Sequence, residues 1–188
     1  MVNTALPLVV VMVIVSLAVS FTEEKWAESA EATKEATASE TVTNLQFYFH
    51  DTVSGKNPSA VRVAQATGTE KSPTLFGALF MADDPLTETP DPNSKLVGRA
   101  QGLYGLSGHQ ELGLIMAMSF SFTEGTYNGS SISIFGKNPI TNPIRELPVV
   151  GGTGAFRFAR GYAIAHTYWL NAAGDAIVGY NVTVVHKS

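Results

Sequence analysis

Residues 42–53 have the sequence VTNLQFYFHDTV, and the turn-forming segment SGKNP follows at 54–58. Aromatic and β-branched side chains favour strands, whereas Gly, Asn and Pro favour the turns that end them. Successive side chains of a strand point to opposite faces, so Phe47, Phe49 and Asp51 share one face. This stretch therefore predicts a strand with an aromatic face that ends in a carboxylate.

The same alternation of short apolar runs and turn residues continues to the C-terminus and predicts an all-β fold. The acidic, proline-rich segment 82–94 is predicted as a loop. The rhythm fits either an antiparallel sandwich or a closed barrel. Glycines within the runs relieve the bends of a closing sheet, so we favour a barrel of about eight strands. The predicted strands are 42–53, 61–66, 76–81, 96–106, 112–123, 131–135, 146–150, 155–170 and 176–186.

Composition narrows the class of protein. The chain has 188 residues, which fits one domain with extensions, and only 15% of them are charged, which favours strands and turns over helices. The formal net charge of −4 is accounted for by the acidic segment 23–40, so the remainder is neutral. Because no basic stripe is present to neutralise phosphates, we expect no nucleic-acid partner.

The N-terminus predicts export. Residues 1–20 contain no charged side chain, and the apolar run ends in Ala18-Val19-Ser20, a small-x-small pattern typical of signal-peptide cleavage. An uncleaved signal anchor is the alternative, although the run is short for a membrane span. We expect a signal peptide over 1–20, a polar tail over 21–41, a barrel domain over 42–188 and no membrane partner once the leader is removed.

Two sequons become candidates for N-glycosylation in a secreted protein: Asn128-Gly129-Ser130 and Asn181-Val182-Thr183. Asn128 lies in a predicted hairpin turn and is the better candidate. The chain has no cysteine. A secreted domain without disulfides requires a core large enough to stabilise the fold alone.

Asp51 and Arg145 each allow two interpretations. Asp51 either points into the barrel, where poor solvation raises its pKa towards the range useful for proton transfer, or caps the turn at Ser54-Gly55. Arg145 lies between apolar residues of a predicted strand. It either pairs with Glu146 or reaches the rim, or it holds an anionic phenolate in an apolar pocket.

Other motifs are less specific. The stretch VVGGTGAF at 149–156 lacks the third glycine of a dinucleotide fingerprint and the Lys-Ser/Thr of a phosphate-binding loop, so a tight turn is predicted. The spacing of GLSG at 105–108 does not fit a nucleophile elbow. The four histidines lack metal-ligand spacing. Asp83, Asp84 and Asp91 could bind calcium, but a solvated loop is the simpler interpretation, and we expect no metal or cofactor.

Four motifs resemble the plant dirigent proteins: FYFHD at 47–51, RAQGLY at 99–104, VVGGTGAFRFARGYA at 149–163 and GDAIV at 174–178. The resemblance covers residue 42 to the end. It implies an eight-stranded antiparallel barrel, similar to allene oxide cyclases and calycins and usually a homotrimer, secreted to the plant apoplast or cell wall. It also implies no redox centre: such proteins take phenolic radicals or quinone methides made elsewhere and control the stereochemistry of their coupling or cyclisation.

The resemblance assigns roles position by position. It implies that Asp51, Tyr104 and Arg145 are the acid, tyrosine and arginine of the pocket. Leu106 and Asn138 occupy positions where lignan-forming members have a second tyrosine and an aspartate, and Asn138 cannot act as a base at neutral pH. Phe47 and Phe49 are expected to line the same pocket and bind planar phenolics by stacking and area burial.

These two departures argue against lignan-type coupling. The segments SGKNPSAVRVAQA and GAFRFARGYA resemble the branch that includes pterocarpan synthases, which dehydrate an isoflavanol to a quinone methide. The leading hypothesis is stereocontrol of phenolic radical coupling or quinone methide cyclisation, with an external oxidase in the radical case. A pterocarpan synthase-like dehydratase, which would be a lyase, is the first alternative. A non-catalytic carrier of hydrophobic phenolics in the wall is the second.

Overall fold

The computed structural model describes residues 39–187. This part of the chain is built from nine strands and three single-turn 3₁₀ helices, which span 69–71, 125–127 and 154–156. The strands are β1 Glu40–Asp51, β2 Ala60–Ala64, β3 Leu79–Thr87, β4 Leu96–Leu106, β5 Gly113–Phe122, β6 Ser131–Pro139, β7 Arg145–Thr153, β8 Arg160–Leu170 and β9 Ala176–Lys187.

Eight antiparallel strands close into a barrel, as predicted. The order β1-β9-β8-β7-β6-β5-β4-β3 returns to its start because β3 pairs again with β1, with Phe49 opposite Leu86. The short strand β2 lies on the same edge of β3, with Ala60 opposite Ala82. After the inserted segment 52–59, β2 therefore takes the position beside β3 that β1 occupies further along, and the barrel still has eight strands around its circumference.

Aromatic side chains fill the interior of the barrel. The Phe47 ring contacts the rings of Phe120, Phe122 and Tyr180, with centroids 5.1, 6.0 and 5.9 Å away. Two of these contacts are edge-to-face, the geometry that the aromatic quadrupole favours. Phe47, Phe120 and Tyr180 are all at most 1% exposed, so this cluster forms the centre of the core.

The predicted loop at 82–94 is wrong in its first half, since β3 continues through Thr87. Pro85 is compatible with this strand because pairing on one edge of β3 is interrupted there. β1 reaches Leu86 and β2 begins opposite Ala82, and between them the Asp83 N–H donates to the Ser59 carbonyl at 2.9 Å. Pro85, two residues on, faces this same gap, so its missing N–H removes no ladder bond.

Strands β6 and β7 are also longer than predicted. β6 extends to Pro139 and β7 begins at Arg145, so Asn138 and Arg145 both have strand geometry. The predicted strand 155–170 begins only at Arg160, after the 3₁₀ turn at 154–156.

The signal peptide predicted for residues 1–20 lies outside the described residues, as does most of the tail predicted for 21–41. Strand β1 begins at Glu40, within that predicted tail. Between residues 39 and 187, no helix has the length and apolar character needed to cross a membrane.

The close approach of β9 to Gly161 on β8 leaves no space for a side chain at this position. Its φ is +151°, and an added Cβ would lie 2.0 Å from the Thr183 carbonyl oxygen. Gly161→Ala should therefore lower the free energy of unfolding by more than about 2 kcal/mol. Gly151→Ala, where no atom lies within 4 Å of the added Cβ, should stay within about 0.5 kcal/mol of the native protein. Urea unfolding measures both, and equal effects would contradict the packing described here.

Candidate active site

One end of the barrel opens into a cavity of about 700 Å³, which we call the cup. Its volume lies in the range typical of small-molecule sites. The C-terminal ends of β1, β4, β6 and β8, the N-terminal ends of β3, β5, β7 and β9, and β2 surround it, so residues distant in sequence meet there. Its polar lining consists of Asp51, Arg62, Tyr104, Asn138, Arg145, Thr167, Asn171 and Tyr180, and its apolar lining includes Phe49, Phe80, Leu106, Leu114, Met116 and Val178.

Asp51 faces the cup from the end of β1. Its Oδ1 atom is buried without a hydrogen-bond partner. Burial raises the pKa of Asp51 to about 6; the Tyr104 hydroxyl opposes this rise and the charge of Asp175 adds to it. A carboxyl with such a pKa exchanges protons near neutral pH.

The turn after β1 is held by Asp175 rather than Asp51. Asp175 Oδ1 accepts hydrogen bonds from the backbone N–H groups of Val53 and Ser54, each at 2.9 Å, and its Oδ2 accepts from the Ser54 hydroxyl at 2.6 Å. These bonds lower the pKa of Asp175. The interpretation of Asp51 as the cap of this turn is therefore wrong, and its carboxyl remains available to the cup.

Asp84 is a second buried acid, and the sequence analysis placed it in a solvated loop. It lies on β3, is 0% exposed, and neither carboxyl oxygen has a hydrogen-bond partner. Burial and the negative charge of Asp51 raise its pKa to about 8, while Ser59 and Arg99 oppose the shift. Ala82, Asp84 and Leu86 are all buried at two-residue spacing, and this alternation was the signal that could have identified it.

The two acids are close enough to interact by charge. Asp51 lines the cup, whereas Asp84 is enclosed by protein and interacts with Asp51 and Tyr104 by charge. Two buried carboxyls that repel each other do not both ionise at neutral pH, so the pair retains a proton. Burial and the charge of Asp51 also raise the pKa of Tyr104, so its hydroxyl stays protonated and can donate a hydrogen bond.

Arg145 is buried at the start of β7, 3% exposed, and all its hydrogen-bond partners within residues 39–187 are neutral. Nε donates to Asn138 Oδ1 at 3.0 Å, and Nη1 donates to Thr167 Oγ1 at 3.0 Å and to the Asn142 carbonyl at 3.3 Å. Glu146 is exposed and does not pair with it. Burial lowers the pKa of Arg145, as expected for a cation without an anionic partner.

Asn138 fixes the direction of this guanidinium. Its amide oxygen accepts from Arg145, while its amide nitrogen contacts the Met116 sulfur at 2.9 Å. Arg62, a second cation of the cup, instead pairs with Glu70. Arg145 is therefore the cation that a bound anion would neutralise.

The structure brings most of the predicted site residues together. Phe49 and Leu106 line the cup with Asp51, Tyr104 and Arg145, whereas Phe47 lies in the aromatic core and does not line it. The two sequon asparagines lie outside the cup: both are exposed, Asn128 after the turn at 125–127 and Asn181 on the outer face of β9.

The predicted acidic loop is not arranged as a calcium site. Asp83 points outward and pairs with Arg99, Asp84 points inward, and Asp91 Oδ1 accepts from the Asn93 backbone N–H at 2.9 Å. Across residues 39–187, no cluster of three or more His, Asp or Glu side chains is placed to hold a metal ion.

Comparison with known proteins identifies the family of this chain. The family model for dirigent-like proteins matches residues 42–185. The chain belongs to the dirigent family. It is 71% identical to dirigent protein 23 of Arabidopsis thaliana over 153 residues, which cover 81% of this chain and 82% of that protein. It is 51% identical to pterocarpan synthase 1 of Glycine max, covering 78% of this chain and 80% of that protein.

A solved structure of the pterocarpan synthase dirigent protein GePTS1 superposes with a TM-score of 0.75 at 50% identity. The match covers 79% of this chain and 87% of that one. A structure of the pterocarpan synthase dirigent protein PsPTS1 gives a TM-score of 0.74 at 48% identity. The eight-stranded barrel is thus shared with relatives of known structure.

The raised carboxyl pKa values make the stability of this dirigent barrel depend on pH. The native state keeps protons on Asp51 and Asp84 that the unfolded chain releases near its ordinary carboxyl pKa of 3.8. The free energy of unfolding should therefore fall as pH rises from about 4 to about 8. Asp84→Asn should reduce this fall by an amount on the order of 3 kcal/mol.

Urea unfolding at a series of pH values measures the slope. Asp83→Asn is the matched control, because its carboxylate is the exposed neighbour on the same strand. It should change the slope far less than Asp84→Asn does, because Asp83 contributes less to the raised pKa of Asp84 than burial and Asp51 do. An Asp84→Asn variant with the native slope would contradict the burial of an ionisable pair.

Proposed function

We propose that this protein is a dirigent protein that directs quinone methide formation and ring closure on a phenolic substrate of the isoflavanol type. One observation carries the proposal: Asp51, one member of a proton-retaining carboxyl pair, and Arg145, which has no anionic partner among residues 39–187, line the same cup. The first can protonate a leaving hydroxyl, and the second can stabilise a phenolate. The half-identical pterocarpan synthase relatives support the same reaction class.

The proposed reaction balances as loss of water. The substrate phenol ionises beside Arg145 and releases its proton to solvent. Asp51 donates its proton to the leaving hydroxyl, the C–O bond breaks as the phenolate electrons form the quinone methide, and water departs. A second phenol oxygen then adds to the methide carbon and returns its proton to Asp51. The first phenolate is reprotonated from solvent, and no oxidant is needed.

Asp84 supports this step from behind Asp51. Because Asp84 does not line the cup, it does not contact the substrate in this scheme. Its raised pKa keeps one proton within the pair at neutral pH, while the cyclising phenol restores the proton of Asp51 in each turnover. Asp84 is thus a positioning and proton-holding residue rather than the direct donor.

The aromatic wall of the cup provides orientation. Phe80 and Tyr104 stack with ring centroids 5.1 Å apart and an interplanar angle of 10°, and both line the cup. A flat wall of this kind favours planar aromatic ligands. The apolar lining also excludes water, which would otherwise add to the methide without stereocontrol.

Stereocontrol of phenolic radical coupling is the second candidate, and it would require an external oxidase. Leu106 and Asn138 favour dehydration over it, because a tyrosine and an acid are absent from those two wall positions. We also propose, from the N-terminal leader and the plant relatives, secretion to the cell wall with glycosylation at Asn128 or Asn181. A homotrimeric assembly is proposed from family membership alone.

Asp51→Asn should lower the rate of conversion of a 7,2′-dihydroxyisoflavan-4-ol, offered without oxidant, by about 10²–10⁴-fold. The amide keeps the shape of the carboxyl but has no proton to donate at neutral pH, so binding should persist. Products are resolved by chiral chromatography, and Asp83→Asn serves as the control with native activity. A parallel reaction with coniferyl alcohol and a one-electron oxidant tests radical coupling.

Two results would contradict the proposal. Native turnover and enantiomeric excess in Asp51→Asn would exclude its role as proton donor. Binding by the native protein without any effect on rate or stereochemistry in either reaction would identify a carrier instead.

A further inference from the structure

We propose that Leu75 is a specificity-determining residue, which holds the outer ring of a two-ring phenolic ligand at the mouth of the cup. This inference rests on the proposed function, because it assumes that the inner ring is a phenol bound near Arg145. Leu75 lies in the segment between β2 and β3, outside every sequence motif discussed above, and its side chain lines the cup.

The backbone of Leu75 is strained. Its φ is +52°, in the left-handed region that a branched L-residue such as leucine rarely adopts. Between residues 39 and 187, Phe158 is the other non-glycine residue with positive φ, at +61°. Strain of this kind persists only where the surroundings impose it, and it is often found at ligand sites.

Contacts on both sides of Leu75 impose this backbone conformation. On one side, the Thr74 hydroxyl donates to the Gly108 carbonyl at 2.7 Å. On the other, the Phe76 N–H donates to the Ser72 hydroxyl at 3.1 Å, and the Phe76 ring stacks on His109 with centroids 3.7 Å apart. Both neighbours of Leu75 are therefore held in place, which fixes the backbone at this residue, and its side chain lines the cup.

The mouth of the cup carries exposed aliphatic side chains beside Arg62, whereas the polar groups of Tyr104 and Arg145 lie deep in the cup among buried apolar residues. Leu75 is 37% exposed, and three other cup-lining residues are also exposed and aliphatic: Val61, Leu112 and Leu170. By contrast, Tyr104 is 5% exposed and Arg145 3%. A ligand that matches this gradient has a phenol at its inner end and an apolar aromatic ring at its outer end.

The experiment compares two inert probes by calorimetry. The two-ring probe is 7-hydroxyisoflavan, which has two aromatic rings, a phenol on the inner one and no leaving hydroxyl, and the one-ring probe is 4-propylphenol. Leu75→Gly and Leu75→Asn both suit positive φ and remove the apolar side chain. Each should weaken binding of the two-ring probe by about tenfold and change the one-ring probe by less than about twofold.

Two matched variants control for folding and strain. Phe158→Gly relieves the same kind of backbone strain outside the cup and should leave both dissociation constants unchanged. Leu75→Met keeps an apolar side chain and should retain most of the affinity for the two-ring probe.

Native affinity of Leu75→Gly and Leu75→Asn for the two-ring probe would overturn the inference, as would equal weakening of both probes or failure of the native protein to bind the two-ring probe. Because neither probe can react, the outcome is independent of turnover. Loss of the proposed dehydration with intact Leu75 selectivity would refute the chemistry and leave this inference standing.

Discussion

Asp84 is buried in the barrel wall, Asp51 is partly buried nearby, and three of their four carboxyl oxygens lack a hydrogen-bond partner. This arrangement costs free energy whenever both groups are ionised, so the barrel holds a proton there at neutral pH. The strand pairing explains where the second acid lies. The segment 52–59 separates β1 from β2, and Asp84 lies opposite the resulting gap in strand pairing. Asp175 in turn anchors the beginning of that segment. The acid–base character of the cup is therefore a consequence of how the barrel closes.

Arg145 provides the complementary half of the site. A buried guanidinium is usually neutralised by a carboxylate, but here Asn138, Thr167 and a backbone carbonyl are its partners. The positive charge is thus held in place by neutral groups and stays available to a ligand. An acid that can give up a proton and a cation that can accept an anion are the two elements needed to ionise a phenol and release a hydroxyl without redox chemistry.

The sequence predicted the barrel and much of the cup for identifiable reasons. Period-two alternation placed Phe49 and Asp51 on one face, its place in an apolar predicted strand singled out Arg145, and the dirigent resemblance brought in Tyr104. Asp84 was missed because Pro85 and the acidic neighbours of the segment outweighed a visible alternation in β3. The anchoring by Asp175 could not be foreseen, since it joins residues 121 and 122 positions apart and no local pattern encodes such a contact.

The retained proton can be observed directly. Infrared spectra of the native protein at pH 7 should contain the C=O stretching band of a protonated carboxylic acid. The band should disappear in Asp84→Asn or as the pH rises above about 9, and persist in Asp83→Asn. A native spectrum in which every carboxyl is ionised by pH 6 would contradict the account, because Asp51 and Asp84 would then be ordinary acids.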